Sequence, residues 1–262
     1  MGLMMSEMPK NTFKKALREG RQQIGFWSTL PDPYVSELLS MAGFDWLLLD
    51  VEHSPTDVRL MMLQLQAAST GPTTLIVRPP VNDRVLIKQY LDIGAQTLLL
   101  PMIQSAQEAR EAVSAMRYPP AGVRGVATMT RASRFGRAEN YLRRAEEELC
   151  LLVQVETAEA LEQIEAIAEV DGVDGIFIGP SDLAASLGHV GNPLHPEVVS
   201  TIESAIGRIT AAGKPAGILT PNNEFASRCI ELGTLFTAVG NDMGVLLGGA
   251  EALAQKFVKP QN

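Results

Sequence analysis

Short apolar runs alternate with segments of helical period along the chain. QIGFWST (23–29) reads as a strand followed by the helix PYVSELLSMAG, and DWLLLDVEH (45–53) as a strand followed by DVRLMMLQLQAAS. TTLIVRP (73–79) precedes DRVLIKQYLDIG, and AQTLLLPM (95–102) precedes SAQEAREAVSAMRY. After a long connection, LCLLVQVET (149–157) precedes AEALEQIEAIAEV, and GIFIGP (175–180) leads to PEVVSTIESAIGRITAAG. KPAGILT (214–220) leads to NEFASRCIELG, and TLFTAVGND (234–242) to MGVLLGGAEALAQKF. Runs such as WLLLDV and TLLLPM are continuously apolar, as in parallel strands covered on both faces. The first strand ends in FWSTLPDPY, without the glycine-rich turn of an open doubly wound sheet. Eight β/α units therefore predict an α/β fold, a closed (β/α)8 TIM barrel, as a single domain over 1–262. One connection is long: 119–148, rich in arginine, which reads either as a lid guiding an acidic substrate or as a solvated or subunit-contacting segment.

Composition supports this picture. A chain of 262 residues suits one barrel, and 46% apolar with 20% charged residues gives an ordinary globular core. The formal charge of −8 speaks against nucleic-acid binding. Two cysteines, Cys150 and Cys229, exclude a disulfide framework and point to a reducing compartment. No run approaches a membrane span, and the N-terminal run is too short for a signal peptide. Met1-Gly2 with Ser6 matches a myristoylation pattern that recurs by chance. The expectation is a cytoplasmic protein with no membrane partner.

Barrel enzymes carry their chemistry at the carboxyl ends of the strands. There the sequence offers Asp50, Glu52 and His53 after strand two, Arg78 after three, Gln104 after four, Gln154 and Glu156 on five, Ser181 and Asp182 after six, and Asn241 and Asp242 after eight. Glu156 and Asp182 fall about one unit apart, on adjacent strands. Two carboxylates there suit a hard divalent ion such as Mg²⁺ or Mn²⁺, an acid/base pair, or two helix N-caps. His53, with Asp50 near, reads as a base or as a structural histidine. Arg78 suits a carboxylate or a developing enolate oxygen, or else a rim salt bridge. His189 and His195 fall in a polar Gly/Pro-rich loop, are expected to be exposed, and offer no zinc cluster. None of the seven lysines falls at a strand carboxyl end, which disfavours imine chemistry and favours metal-assisted enolate chemistry.

The segments FDWLLLDVEHSP (44–55), VRPPVNDRVLIKQYLDIGAQTLLLPMIQ (77–104), RYPPAGVRGV (117–126), VQVET (153–157) and DGVDGIFIGPSDLAASLG (171–188) resemble the HpcH/HpaI aldolases, the class II pyruvate aldolases. Within that family the resemblance is to the 4-hydroxy-2-oxoheptane-1,7-dioate aldolase branch, with relatives acting on 2-keto-3-deoxy sugar acids very similar. The resemblance implies a divalent metal (Mg²⁺, Mn²⁺ or Co²⁺) on Glu156 and Asp182, with Gln154, Ser181 and Asp182 seating the oxo acid. It implies His53 as base, Arg78 as enolate stabiliser, Asp50 as acidic neighbour of the histidine, and Asp92 as a carboxylate raising histidine basicity across a subunit boundary. Leu219 would line the aldehyde side. Pyruvate and an aldehyde are the implied small-molecule partners, and aromatic-compound catabolism the implied setting. A homo-oligomer, a hexamer exchanging its last helix, is also implied. The competing enzyme reading is an acyl-CoA lyase of the citrate-lyase type, whose CoA the 117–144 arginines would meet; the non-enzyme reading is an oxo-acid-binding barrel.

Overall fold

The computed structural model describes residues 6–258; the Met1-Gly2 pattern lies outside them. Eight parallel strands close a barrel in sequence order: β1 (Gln23–Ser28), β2 (Trp46–Asp50), β3 (Thr74–Arg78), β4 (Thr97–Leu100), β5 (Cys150–Val155), β6 (Gly175–Ile178), β7 (Ala216–Leu219) and β8 (Thr234–Asn241). The predicted (β/α)8 architecture is the one observed. Among the described residues, no helix is long and apolar enough to cross a membrane.

The side-chain period of two explains both the continuous apolar runs and the position of the polar groups. In β2, Leu47 and Leu49 point outward and join the large core between barrel and helices. Trp46 and Leu48 point inward and pack with Trp27, Ile76, Leu99, Leu152, Phe177 and Phe236 in the barrel interior. Continuing the inward parity to the strand ends gives Asp50 on β2, Arg78 on β3, and Gln154 then Glu156 on and just past β5. The carboxyl end of the interior is thus polar by the same alternation that makes its centre apolar. Gly217 leaves room for Phe236, whose ring fills the space a β-carbon there would need.

Helix α1 (Thr12–Arg18) closes the opposite end, inserting Phe13 and Leu17 beneath Trp46 and Phe236. The β/α pattern did not foretell it. After β1 and β2 come α2 (Pro33–Ser40) and α3 (Val58–Ala68); after β3 and β4 come α4 (Arg84–Asp92) and α5 (Ala106–Met116). The expected 119–148 loop ends in a helix, α6 (Tyr141–Glu148), which is strongly polar and buries only Tyr141 and Ala145. AEALEQIEAIAEV breaks at Gln163 into α7 (Ala158–Glu162) and α8 (Ile164–Ala168). A short helix, α9 (Pro180–Ser186), precedes α10 (Pro196–Ala211), where the pattern indicated one helix. α11 (Asn223–Glu231) and α12 (Asp242–Phe257) complete the chain. Strand two ends at Asp50, short of the expected 53, because residues 51–55 bend across the barrel mouth.

Candidate active site

The carboxyl ends of the strands enclose a pocket of about 420 Å³ that includes Trp27, Asp50, His53, Arg78, Gln154, Ser181, Asp182 and Leu219. No lysine lines it. The parity that fills the barrel therefore brings most of the sequence-predicted residues to one place.

Arg78 is the most constrained of them. Its Nε and Nη2 donate to Asp50 Oδ1 and Oδ2 at 2.9 and 2.6 Å, a bidentate pair. Nη1 lies 2.8 Å from Glu52 Oε2, and the guanidinium sits 4.7 Å from the centre of the Trp27 ring. Asp50 also accepts from Trp27 Nε1 and from the backbone N–H of Glu52. Burial works against the Asp50 charge. The Arg78 hydrogen bonds and charge, with the other two donors, outweigh it and hold the carboxyl below its ordinary value. Glu52 moves the other way: burial and the charges of Asp50 and Asp182 raise it against the pull of Arg78.

His53 stands at the rim with its side chain 65% exposed. Its nearest carboxylate is Glu52, 3.9 Å from Nε2. Asp50, expected beside the histidine, spends its oxygens on Arg78, Trp27 and the Glu52 N–H.

Glu156 is buried. Oε1 accepts from the Met102 backbone N–H at 2.8 Å, and Oε2 from Gln154 Nε2. Met102 aims that N–H by adopting φ of 53°, a left-handed conformation costly for a non-glycine residue. At Gly179 a β-carbon would strike Glu156 Oε2 and stand 3.0 Å from Gln154 Nε2, so glycine is required for the carboxylate to lie there. Burial pushes the Glu156 carboxyl up to about 7; Gln154 and Met102 oppose, while Asp182 and Glu52 add. Gln154 Oε1 is buried without a hydrogen-bond partner. A buried carboxylate without a countercharge, a second carboxylate on Asp182 and an orphaned amide oxygen together fit a hard cation with its water or an oxo-acid ligand. This favours the metal alternative. The N-cap alternative does not describe Glu156 or Asp182: Thr157 caps α7, and Asp182 lies in the first turn of α9, whose cap position is Gly179.

The raised Glu156 value has a measurable consequence. A carboxyl whose folded value exceeds its ordinary 4.5 favours folding while protonated. That contribution is complete below about pH 4.5 and is lost as pH rises toward 7. Thermal unfolding of chelator-treated protein should show this loss, Mg²⁺ should offset it most above pH 7, and Glu156→Gln should flatten the slope.

The remaining expectations concern residues outside this pocket. Asp92, at the end of α4, accepts from Nη2 of the fully buried Arg124 at 2.7 Å and does not line this protomer's pocket. Three of the arginines between 117 and 144 are engaged elsewhere: Arg117 pairs with Glu146 and Asp171, Arg124 with Asp92, and Arg131 donates to the Ile93 carbonyl. None reaches the mouth to guide an acid or a CoA. His189 and His195, expected to be exposed and apart from any cluster, are half-buried and stack on each other beside Glu197. Trp27, Phe177, Gly179 and the Met102 N–H were not singled out from sequence. Inward strand parity marks the first three, and nothing local marks the fourth. Asp242 caps the mouth structurally, accepting from Ser28, Thr29 and Leu30.

Comparison with known proteins agrees with the geometry. The family model described as HpcH/HpaI aldolase/citrate lyase matches residues 23–248. The chain is 60% identical over 251 residues to a pyruvate aldolase of Rhizobium etli, covering 96% of this chain and 99% of that protein. It is 56% identical over 249 residues to a 4-hydroxy-2-oxo-heptane-1,7-dioate aldolase of Salmonella heidelberg, covering 95% of each. The crystal structure of an HpcH/HpaI aldolase/citrate lyase family protein from Burkholderia cenocepacia superposes with a TM-score of 0.92 at 36% identity, covering 95% of this chain and all of that one. The shared barrel, the match over most of its length and the strand-end constellation give one conclusion: this chain belongs to the HpcH/HpaI aldolase/citrate lyase family.

Proposed function

We propose that the barrel mouth cleaves 4-hydroxy-2-oxo acids reversibly to pyruvate and an aldehyde, with a divalent ion on Glu156 and Asp182. The observation that carries this reading is the clamped Arg78 in a pocket that no described lysine lines, with the buried Glu156, which lacks a countercharge, bonded to the pocket residue Gln154. Such an ion (Mg²⁺, Mn²⁺ or Co²⁺) would supply Lewis-acid polarisation of the 2-oxo group. The chain's own groups do the rest. Gln154 and Ser181 orient the oxo-acid end of the substrate. Asp50, Glu52 and Trp27 fix the inner edge of Arg78, leaving its remaining N–H groups to neutralise charge on the enolate oxygen. His53, at the rim, accepts the 4-hydroxyl proton as the C3–C4 bond breaks, releases the aldehyde on the Leu219 side, and leaves pyruvate enolate to be protonated at C3. The relatives named above support substrates such as 4-hydroxy-2-oxoheptane-1,7-dioate.

The test is a panel of 4-hydroxy-2-oxo acids with varied aldehyde ends, assayed for pyruvate beside malyl- and citryl-CoA. Pyruvate from the oxo acids and no cleavage of the thioesters is expected. Thioester cleavage alone would replace this reading by the acyl-CoA lyase.

The same reading includes a cytoplasmic homohexamer. Residues 243–257 of α12 are exposed along their whole length, with Val245, Leu246, Leu247, Leu253 and Phe257 bare. On α2 and its end, Tyr34, Leu38 and Met41 form a second bare apolar stripe, 77%, 62% and 59% exposed. Apolar faces of this size call for a partner, and exchange of α12 between copies would cover both. Asp92 would then act in a neighbouring pocket. Sedimentation should give about six times 28.3 kDa, and removal of the chain after Asn241 should dissociate the assembly. A 28.3 kDa species at micromolar concentration would contradict it.

A further inference from the structure

Away from the barrel mouth, the loop between α9 and α10 gathers a second set of metal-ligating side chains. His189, His195 and Glu197 each offer a donor atom within 4.8 Å of the other two. The sequence HVGNPLHPE folds back on itself to bring them together. Gly188 and Gly191 take the left-handed conformation, with φ of 85° and 76°. Asn192 N–H donates to the His189 carbonyl, and His195 N–H to the Asn192 carbonyl. The loop backbone is thereby fixed before any ligand arrives.

His189 Nε2 lies 2.8 Å from Glu197 Oε2, and the Glu197 N–H donates to His195 Nδ1 at 3.3 Å. The two imidazoles stack, centroids 3.6 Å apart and 16° from parallel. Three features oppose a cation here. Stacked rings carry their in-plane lone pairs side by side, so one ring must turn about its Cβ–Cγ bond for both to meet an ion. Tetrahedral Zn–N bonds place donors about 3.4 Å apart, so atoms that now lie within 4.8 Å of one another must adjust to that spacing. The positive end of the α10 dipole is also nearby, and the ionised Glu197, kept charged by the His189 hydrogen bond, offsets it.

We propose that His189, His195 and Glu197 form a transition-metal site, distinct from the barrel mouth, that pins the α9–α10 loop to the start of α10. Two imidazoles and one carboxylate select Zn²⁺, Co²⁺ or Ni²⁺, whereas the oxygen donors of the mouth suit Mg²⁺. The chain then takes one Mg²⁺ but two transition-metal ions.

Calorimetric titration of chelator-stripped protein with Zn²⁺ in excess Mg²⁺ tests this, alongside His189→Ala and His195→Ala. One Zn²⁺ per chain should bind, and should bind equally to Glu156→Gln protein, which separates this site from the mouth. Each histidine variant should weaken that binding about 100-fold, a loss on the scale known for disturbed metal sites, with Mg²⁺-supported aldol cleavage unchanged. Imidazole NMR signals of His189 and His195 should move with Zn²⁺ and not with Mg²⁺. Zn²⁺ binding that survives in both histidine variants, or that vanishes in Glu156→Gln protein, would overturn the proposal.

Discussion

Arg78→Ala is expected to lower kcat for aldol cleavage by roughly 10²–10³, the scale of a lost oxyanion donor. The geometry explains why so much rests on one side chain. Asp50 grips Nε and Nη2, Glu52 faces Nη1, and Trp27 lies against the plane, so the guanidinium is oriented before substrate arrives. Deleting it also leaves Asp50 buried with two donors fewer. Because the enolate forms in every reaction of the pocket, the same variant should lose C3 deuterium exchange of pyruvate. Arg78→Lys should recover little, since a point charge does not replace the planar fork. His53→Ala should behave differently. Its ring is at the exposed rim and is assigned the hydroxyl proton alone, so cleavage should fall by roughly 10²–10⁴ while much of the pyruvate exchange persists. Measuring both reactions in both variants separates the roles; equal losses throughout would mean only general damage to the site.

The barrel was legible because its strands obey two rules together. Continuous apolar runs marked strands covered on both faces, and counting inward by two from Trp46, Ile76 and Leu152 lands on Asp50, Arg78 and Gln154. What was not legible has physical causes. α6 and α9 are only eight and seven residues long and bury two residues each, too little apolar surface to stand out as elements. The partner of Asp50 is decided in three dimensions: a bidentate guanidinium across one strand wins over a histidine three residues along a bend. The Met102 N–H becomes a ligand-holding donor through its backbone conformation, which leaves no trace in residue type. His189 and His195 meet because two glycines turn the loop back, a fold that their spacing alone does not announce. Asp92 resembles a site residue in sequence but pairs with Arg124, away from this protomer's pocket.

Metal withdrawal is expected to have the largest effect of all. Burial raises the Glu156 carboxyl to about 7, and the charges of Asp182 and Glu52 add to the rise. Among the described residues no lysine lines the pocket to form an imine, and Arg78 is the one fixed cation there to meet an oxo acid. Without the proposed ion, polarisation of the 2-oxo group would be lost and the buried Glu156 would have no cation to hold its charge. Glu156→Gln and Asp182→Asn should mimic the loss. The direct measurement is pyruvate release from 4-hydroxy-2-oxoheptane-1,7-dioate by native protein, after exhaustive chelation and again after adding Mg²⁺, Mn²⁺ or Co²⁺, with borohydride present in a parallel sample. The expected result is no release after chelation, full recovery with the added ion, and no reduced adduct on any lysine. Undiminished release from the metal-free protein, or a borohydride-trapped lysine, would contradict a metal-assisted enolate at this barrel mouth.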